Sequence, residues 1–388
     1  MAIVARGFPG LTFGTTPWSA TASTKRTPAK EAGLARCWQS FGFSDNVKVT
    51  SAIKEEVRRN GFPQSMRPDA YYFLSGGSAL QREQPPGAYS ILAASTSSLS
   101  DDAIYSVEDD VRNARVLFKD TRLFSTAKGA EVLSRIIFAY IQHNPTCGYF
   151  KGLANIAALL LTAFGKEREE QAFWTLVALL ERRFFPYTNG QVPSGARIEV
   201  HVLQMLLEQR LNALAAPLAK LGADAVETLC YNWFSAAFTR ALPHELVLRI
   251  WDCVVVEGPK VALRVAMALI KTCASSVQSC TNIEVLSRVV EARLSRCQDA
   301  NALLSIAFKG LGSLSGASVD AARARASAAL QRALSIQLTA LARGAGCNAS
   351  GPLSTSSGGS SSGSGRLHHK IASSWPSLKT SGIFLSTV

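Results

Sequence analysis

From residue 51 to about residue 341 the apolar residues recur three and four apart, and almost nowhere do they alternate. Ala52, Ile53 and Val57 fall on one side of a helix, with Lys54, Glu55, Glu56, Arg58 and Arg59 on the other, and Asn60-Gly61 ends it. Val132, Leu133, Ile136, Ile137 and Tyr140 form a second stripe. Phe173, Trp174, Val177 and Leu180 form a third, and Leu203, Leu206 and Leu207 belong to another. Alternating runs joined by hairpin turns, the mark of a sheet, are missing. The Ala/Leu-rich stretch from Arg323 to Leu341 predicts a further helix, with Gly344 as its stop. The fold class expected is therefore all-α.

With 47% hydrophobic residues the chain can bury a large core, which excludes wholesale disorder. Its most apolar stretch, Ala154 to Phe164, is far shorter than the ~20 residues that span a bilayer, so no transmembrane segment is expected. The net charge of +13 suggests nucleic acid until it is located. Most of the excess lies in residues 1–50 and 318–388, and 51–316 is nearly balanced. A surface built for phosphates would show the reverse, so no nucleic-acid partner is expected. The eight cysteines contain no C-x-x-C pair and no histidine at ligand spacing, so they read as reduced, mostly buried residues. No metal and no cofactor are expected.

The ends differ in composition from the middle. Residues 1–45 read as a low-complexity, disordered segment, with an organelle leader as the alternative. Residues 344–388 read as a Ser/Gly-rich disordered tail, and 301–343 as a C-terminal helical extension.

Five short motifs stand in order within 51–300. They are Ile53 to Asn60 followed by Gly61-Phe62-Pro63 and Arg67; Asn144-Pro145-Thr-Cys-Gly148-Tyr149-Phe150-Lys151-Gly152 leading into an apolar helix from Ile156 to Leu161; and Gln171-Ala-Phe173-Trp174. Trp233-Phe234 then precedes Leu242-Pro243 and Val247-Leu248-Arg249-Ile250-Trp251-Asp252, with Glu257-Gly258 following. By residue type alone the Trp and Phe side chains read as core packing, Arg249 and Asp252 as a structural pair three apart, and Asn144-Pro145 as a turn. Together the motifs resemble the TBC family, the helical domains that stimulate GTP hydrolysis by Rab-type small GTPases. The resemblance implies a two-lobed helical domain over 51–300 and a GTP-bound Rab-type GTPase as partner. It also implies a cytoplasmic protein that reaches endomembranes, if at all, through that GTPase.

The family acts through an arginine in Ile-x-x-Asp-x-x-Arg and the glutamine of Tyr-x-Gln. The resemblance places the second at Lys151, and lysine only donates protons, whereas an amide both donates and accepts. The first falls within Val107-Glu-Asp109-Asp110-Val111-Arg112-Asn113-Ala114-Arg115. One register, Val107-x-x-Asp110-x-x-Asn113, puts asparagine at the finger; the other, Ser106-x-x-Asp109-x-x-Arg112, keeps arginine but loses the apolar first position. Arg112 is the candidate finger here, with Arg115 next, and Asn113, Arg115, Tyr149 and Phe150 are the expected partner contacts. Two functions follow: a Rab GTPase activator weakened by loss of the glutamine, or a non-catalytic scaffold that binds a GTPase or another trafficking protein.

Overall fold

The computed structural model describes residues 27–39, 41–94, 101–119, 121, 123–188 and 191–346. Among these residues every regular element is helical. The first half comprises α1 (Pro28–Trp38), α2 (Ser51–Arg59), α3 (Arg67–Ser75), α4 (Gly77–Arg82), α5 (Ala88–Ala94), α6 (Asp101–Leu117), α7 (Ala127–His143), α8 (Leu153–Phe164) and α9 (Glu169–Ala178). A π turn, Leu179–Phe184, carries α9 onward. The second half comprises α10 (Val192–Arg210), α11 (Asn212–Leu221), α12 (Ala225–Ser235), α13 (His244–Glu257), α14 (Lys260–Thr272), α15 (Ala274–Ser279), α16 (Ile283–Leu294), α17 (Ala300–Phe308) and α18 (Gly316–Gly346).

Helices α3–α9 pack chiefly on one another, as do α10–α18, which gives two lobes sharing one continuous apolar core. The stripe Val132, Leu133, Ile136, Ile137 and Tyr140 is buried along α7, as its spacing predicts. Helix α13 joins the lobes, lying against α2 and α3 on one side and α14 and α17 on the other. Every residue from Leu246 to Val256 is buried, as expected of a helix packed all round. Two of those residues, Arg249 and Asp252, are charged, and both are satisfied internally. Asp252 accepts from Arg67 Nε (3.0 Å) and Nη2 (3.2 Å), from Tyr71 Oη (2.9 Å) and from the Phe62 amide (3.1 Å). Arg249 Nη1 lies 3.7 Å from Asp252 and donates to the Val57 carbonyl (2.9 Å). Gly61 leaves room for this cluster: a Cβ there would sit 2.0 Å from Arg249 Nη1, and its φ of +66° favours glycine. Burial opposes the charge of Arg67, and the adjacent Asp252 carboxylate more than offsets it, holding the guanidinium above its ordinary pKa.

The polar side of α2 departs from the solvated face its pattern predicts. Arg58 forks onto Glu257 of α13 (Nε to Oε1 2.6 Å) and lies 4.2 Å above the Phe308 ring. Helices α2, α13 and α17 are thus tied by charge as well as by apolar contact.

The disordered segment expected over 1–45 needs correction over its described part. Residues 28–38 form α1, begun by Pro28 at the first turn and by Thr27, whose hydroxyl accepts from the Lys30 amide (3.4 Å). Trp38 packs edge-on against Phe41 (5.1 Å) and Phe62 (5.0 Å) and stacks with Phe43 (6.1 Å). These aromatics bury enough surface to order a segment whose remaining composition is polar. Residues 1–26 lie outside the described residues. A chain beginning at residue 47 is expected to melt several degrees below one beginning at residue 27, by thermal denaturation followed by circular dichroism. Equal midpoints would show that α1 adds nothing to the core.

The C-terminal extension packs into the second lobe. Val319, Ala322, Ala326 and Leu330 of α18 are buried, and Arg323 pairs with Glu199 of α10 (2.7 and 3.1 Å) while its guanidinium lies over the Tyr187 ring. The helix begins at Gly316 and continues through Gly344 to Gly346, so Gly344 is not its stop. The tail expected over 344–388 lies, from residue 347, outside the described residues.

Candidate functional site

The connection from α7 to α8 lies between the turn from α12 to α13, which it touches at Gly152, and the middle of α6, which it touches at Asp110. In that connection, α7 ends at His143 and Asn144 caps the turn, its Oδ1 accepting from the Cys147 amide (3.0 Å) and its Nδ2 donating to Glu181 (2.7 Å). Gly148 (φ +60°) and Gly152 (φ +119°) then take left-handed conformations on either side of Tyr149-Phe150-Lys151. At Gly152 contact adds to conformation, because a Cβ would come within 3.0 Å of Ala236 Cβ and 3.1 Å of the Ser235 carbonyl. The loop therefore lies directly on the α12–α13 turn.

That turn is strained. Ala237 (φ +46°) and Phe238 (φ +67°) are consecutive left-handed residues with side chains, each costing about 1–3 kcal/mol unless its surroundings hold it. The surroundings do so here. The Phe238 amide donates to the Trp233 carbonyl (2.7 Å), Trp251 Nε1 donates to the Ala237 carbonyl (3.0 Å), and the Phe238 ring is fully buried. Two residues later the chain reaches the surface at Arg240, which is exposed.

Within the loop the three side chains take different directions. Phe150 is 6% exposed and packs against Tyr140, so its ring belongs to the core and not to the partner face expected for it. Tyr149 is half-buried and donates its hydroxyl to Asp110 of α6. Burial and the Asp110 carboxylate both push the Tyr149 phenol well up, which keeps its proton in place for that bond. Lys151 is exposed.

On α6, Val107, Val111 and Ala114 are buried and Ser106 is exposed. Asp110 thus marks the edge of the helix that meets the loop. Each residue advances about 100°, so Asn113 lies one turn along the same edge, about 60° from Asp110. Arg112, about 200° round, lies on the far side. It is exposed there and donates to Asp109 (3.2 Å), an i,i+3 surface pair. Asn113 bonds the other oxygen of Asp109 (3.2 Å). Arg115 is exposed, about 140° from Asp110. The structure therefore joins Tyr149 to Asp110, with Lys151 in the same loop; Asn113 lies about 60° from Asp110 on α6 and Arg112 on the far side, and both of these bond Asp109.

Residues 64–277, more than half of the chain, match the Rab-GTPase-TBC domain family. The chain belongs to that family. TBC1 domain family member 2A of Mus musculus is 30% identical over 264 residues, which is 67% of this chain and 28% of that protein. Growth hormone-regulated TBC protein 1 of Homo sapiens is 32% identical over 235 residues, 60% of this chain and 67% of that protein. The chain thus spans little more than a quarter of the first of these relatives. Among solved structures, the Chlamydomonas flagellar RabGAP TBC domain superposes with a TM-score of 0.61 at 25% identity, covering 74% of this chain and 93% of that one. The Ypt/Rab-GAP domain of Gyp1p shares the fold, with a TM-score of 0.52 at 17% identity over 73% of this chain and 98% of its own. No helix among the described residues of this TBC domain is long and apolar enough to cross a membrane.

Arg240 did not emerge from the sequence as a site residue. It lies inside Trp233-Phe234-x4-Thr239-Arg240-Ala-Leu242-Pro243, a segment whose aromatic residues point to packing. What sets it apart in the sequence is its charge between Phe238 and Leu242.

Proposed function

We propose that this TBC domain engages a GTP-bound Rab-type GTPase through the face made by α6 and the 148–152 loop, and stimulates its GTP hydrolysis only weakly. The observation that carries this is the bond from Tyr149 to Asp110. It ties the loop to the edge of α6 that holds Val107, Asp110 and Asn113, and so supports the register in which asparagine occupies the finger position. Ser106, the first position of the other register, is exposed where an apolar residue is needed.

The chemistry follows from the two side chains. GTP hydrolysis is limited by charge on the transferring phosphoryl group and by the placing of the attacking water, and an arginine finger contributes ~10³–10⁵-fold. Asn113 is neutral. Lys151 offers charge to phosphate oxygens but no acceptor for a water proton, so the GTPase must position the water with its own residues. Binding needs neither finger, which allows recognition to persist where catalysis is reduced. In this reading the chain is cytoplasmic and meets endomembranes through its partner.

The test is a panel of Rab-type GTPases, assayed for binding in their GTP-analogue form and for single-turnover hydrolysis with and without the chain. We expect saturable binding to at least one member, selective for the GTP form, and acceleration below ~100-fold, short of the range for a finger. Acceleration of ~10³-fold that is lost in Arg112→Ala would establish the other register and overturn this reading.

A further inference from the structure

Two exposed cations lie on the two elements that meet at Gly152. Lys151 follows Tyr149 in the loop, and Arg240 comes from the α12–α13 turn on which the loop rests. Among the described residues Arg240 has no ion-pair partner, whereas Arg197, Arg249 and Arg323 of the same lobe are engaged with Glu227, Asp252 and Glu199. The backbone that carries Arg240 is unusually fixed. The two left-handed residues before it are held by Trp251 and Trp233, the Thr239 hydroxyl donates to the Ala236 carbonyl (2.6 Å), and the Ala241 amide donates to the Phe238 carbonyl (3.0 Å). The strained residues are buried and held, and the chain surfaces at Arg240 two positions on, so that side chain leaves from a fixed backbone.

We infer that Arg240 is the catalytic cation of this domain, donating from the α12–α13 turn to the oxygens of the transferring phosphoryl group in place of the arginine that Asn113 replaces. The inference rests on the proposal that the 148–152 loop faces the nucleotide of a Rab-type GTPase. The turn that carries Arg240 is the one on which the loop rests at Gly152, and burial and Asp110 push the Tyr149 phenol up while the Arg240 charge works in the opposite direction.

In the reaction a water oxygen bonds to the γ-phosphorus as the bond from that phosphorus to the β–γ bridging oxygen breaks. The bridging oxygen keeps the electron pair and leaves in GDP, and the proton lost by water ends on inorganic phosphate. Arg240 exchanges no proton in this step and donates hydrogen bonds to oxygens that gain charge. A guanidinium suits this better than an ammonium, because its planar fork reaches two oxygens at once. Because it comes from a turn and acts without the glutamine, its contribution is expected at about 10- to 100-fold, below that of the family's finger.

The experiment compares the unmodified chain with Arg240→Ala and Arg240→Lys against a panel of GTP-loaded Rab-type GTPases, measuring both affinity for the GTP-analogue form and single-turnover rate. Arg240→Ala is expected to bind within about threefold of the unmodified chain, retain its melting temperature and lose at least tenfold in rate enhancement, with Arg240→Lys between them. An arginine that only held the turn would lower the melting temperature together with the rate, and so is distinguished by the unchanged melting temperature. Arg240→Ala hydrolysing at the unmodified rate would overturn the inference, as would a chain that binds a GTPase and never accelerates it, which leaves the binding reading standing. Absence of binding to every member would remove both.

Discussion

Installing the two absent side chains, Asn113→Arg with Lys151→Gln, is expected to bring hydrolysis to at least ~10³-fold above the intrinsic rate of a GTPase that this domain binds. Both positions are exposed, so neither change disturbs the core. Arginine is a better helix former than asparagine, so the first should not cost stability. At position 113 it would project from the α6 edge that Tyr149 touches through Asp110. At 151 an amide would regain the acceptor that the ammonium lacks. Single-turnover hydrolysis by the bound GTPase reads the effect. The single variants separate the contributions, and the arginine alone should supply most of the gain, because charge neutralisation outweighs water placement when the GTPase keeps its own glutamine. If the double variant binds as before and hydrolyses at the unmodified rate, then the γ-phosphate does not lie at this face.

How far the sequence reveals these features depends on the range of the interactions involved. Helices are set by contacts three and four residues apart, and the stripes of α7 and α9 expose that spacing directly. The order of the five motifs carries the family, since each marks a place where chain segments meet: Gly61-Phe62-Pro63 beside Asp252, and Gly152 against Ala236. The contact between α6 and the loop is not legible in the sequence: Asp109 and Asp110 are adjacent and chemically alike, and Tyr149, 39 positions after Asp110, bonds the second of them. The depth of Phe150 was hidden for the same reason, because its neighbour Tyr140 lies on another helix. The ordering of α1 was concealed by composition: Trp38, Phe41 and Phe43 are three aromatics in a Ser/Thr/Gly/Pro-rich stretch, and their partner Phe62 is in a different motif. Arg323 likewise reads as surface charge until Glu199, 124 residues earlier, is seen beside it.

Asp252→Ala is expected to lower stability by about 3–5 kcal/mol, the range for removing one partner of a buried ion pair. Asp252 is fully buried and is the common acceptor of Arg67, Tyr71 and the Phe62 amide, with Arg249 3.7 Å away. Its loss would leave the Arg67 charge buried, opposed by desolvation and no longer offset. Asp252→Asn preserves the shape but not the charge, and should fall between. Denaturant unfolding measures both, and a midpoint unchanged by Asp252→Ala would show that Arg67 finds water or another acceptor. The consequence reaches the candidate site by a short route. Asp252 seats α13 against α2 and α3, and its neighbour Trp251 holds the Ala237 carbonyl (3.0 Å). Ala237 belongs to the strained turn that carries Arg240, and that turn is the floor on which Gly152 rests. A shift of α13 by a few tenths of an ångström would therefore loosen the turn, and with it the loop that bears Tyr149 and Lys151. Under conditions where Asp252→Asn remains folded, its stimulation of GTP hydrolysis should fall further than its affinity for the GTPase, because catalysis needs the fixed position of a side chain and binding needs only the face.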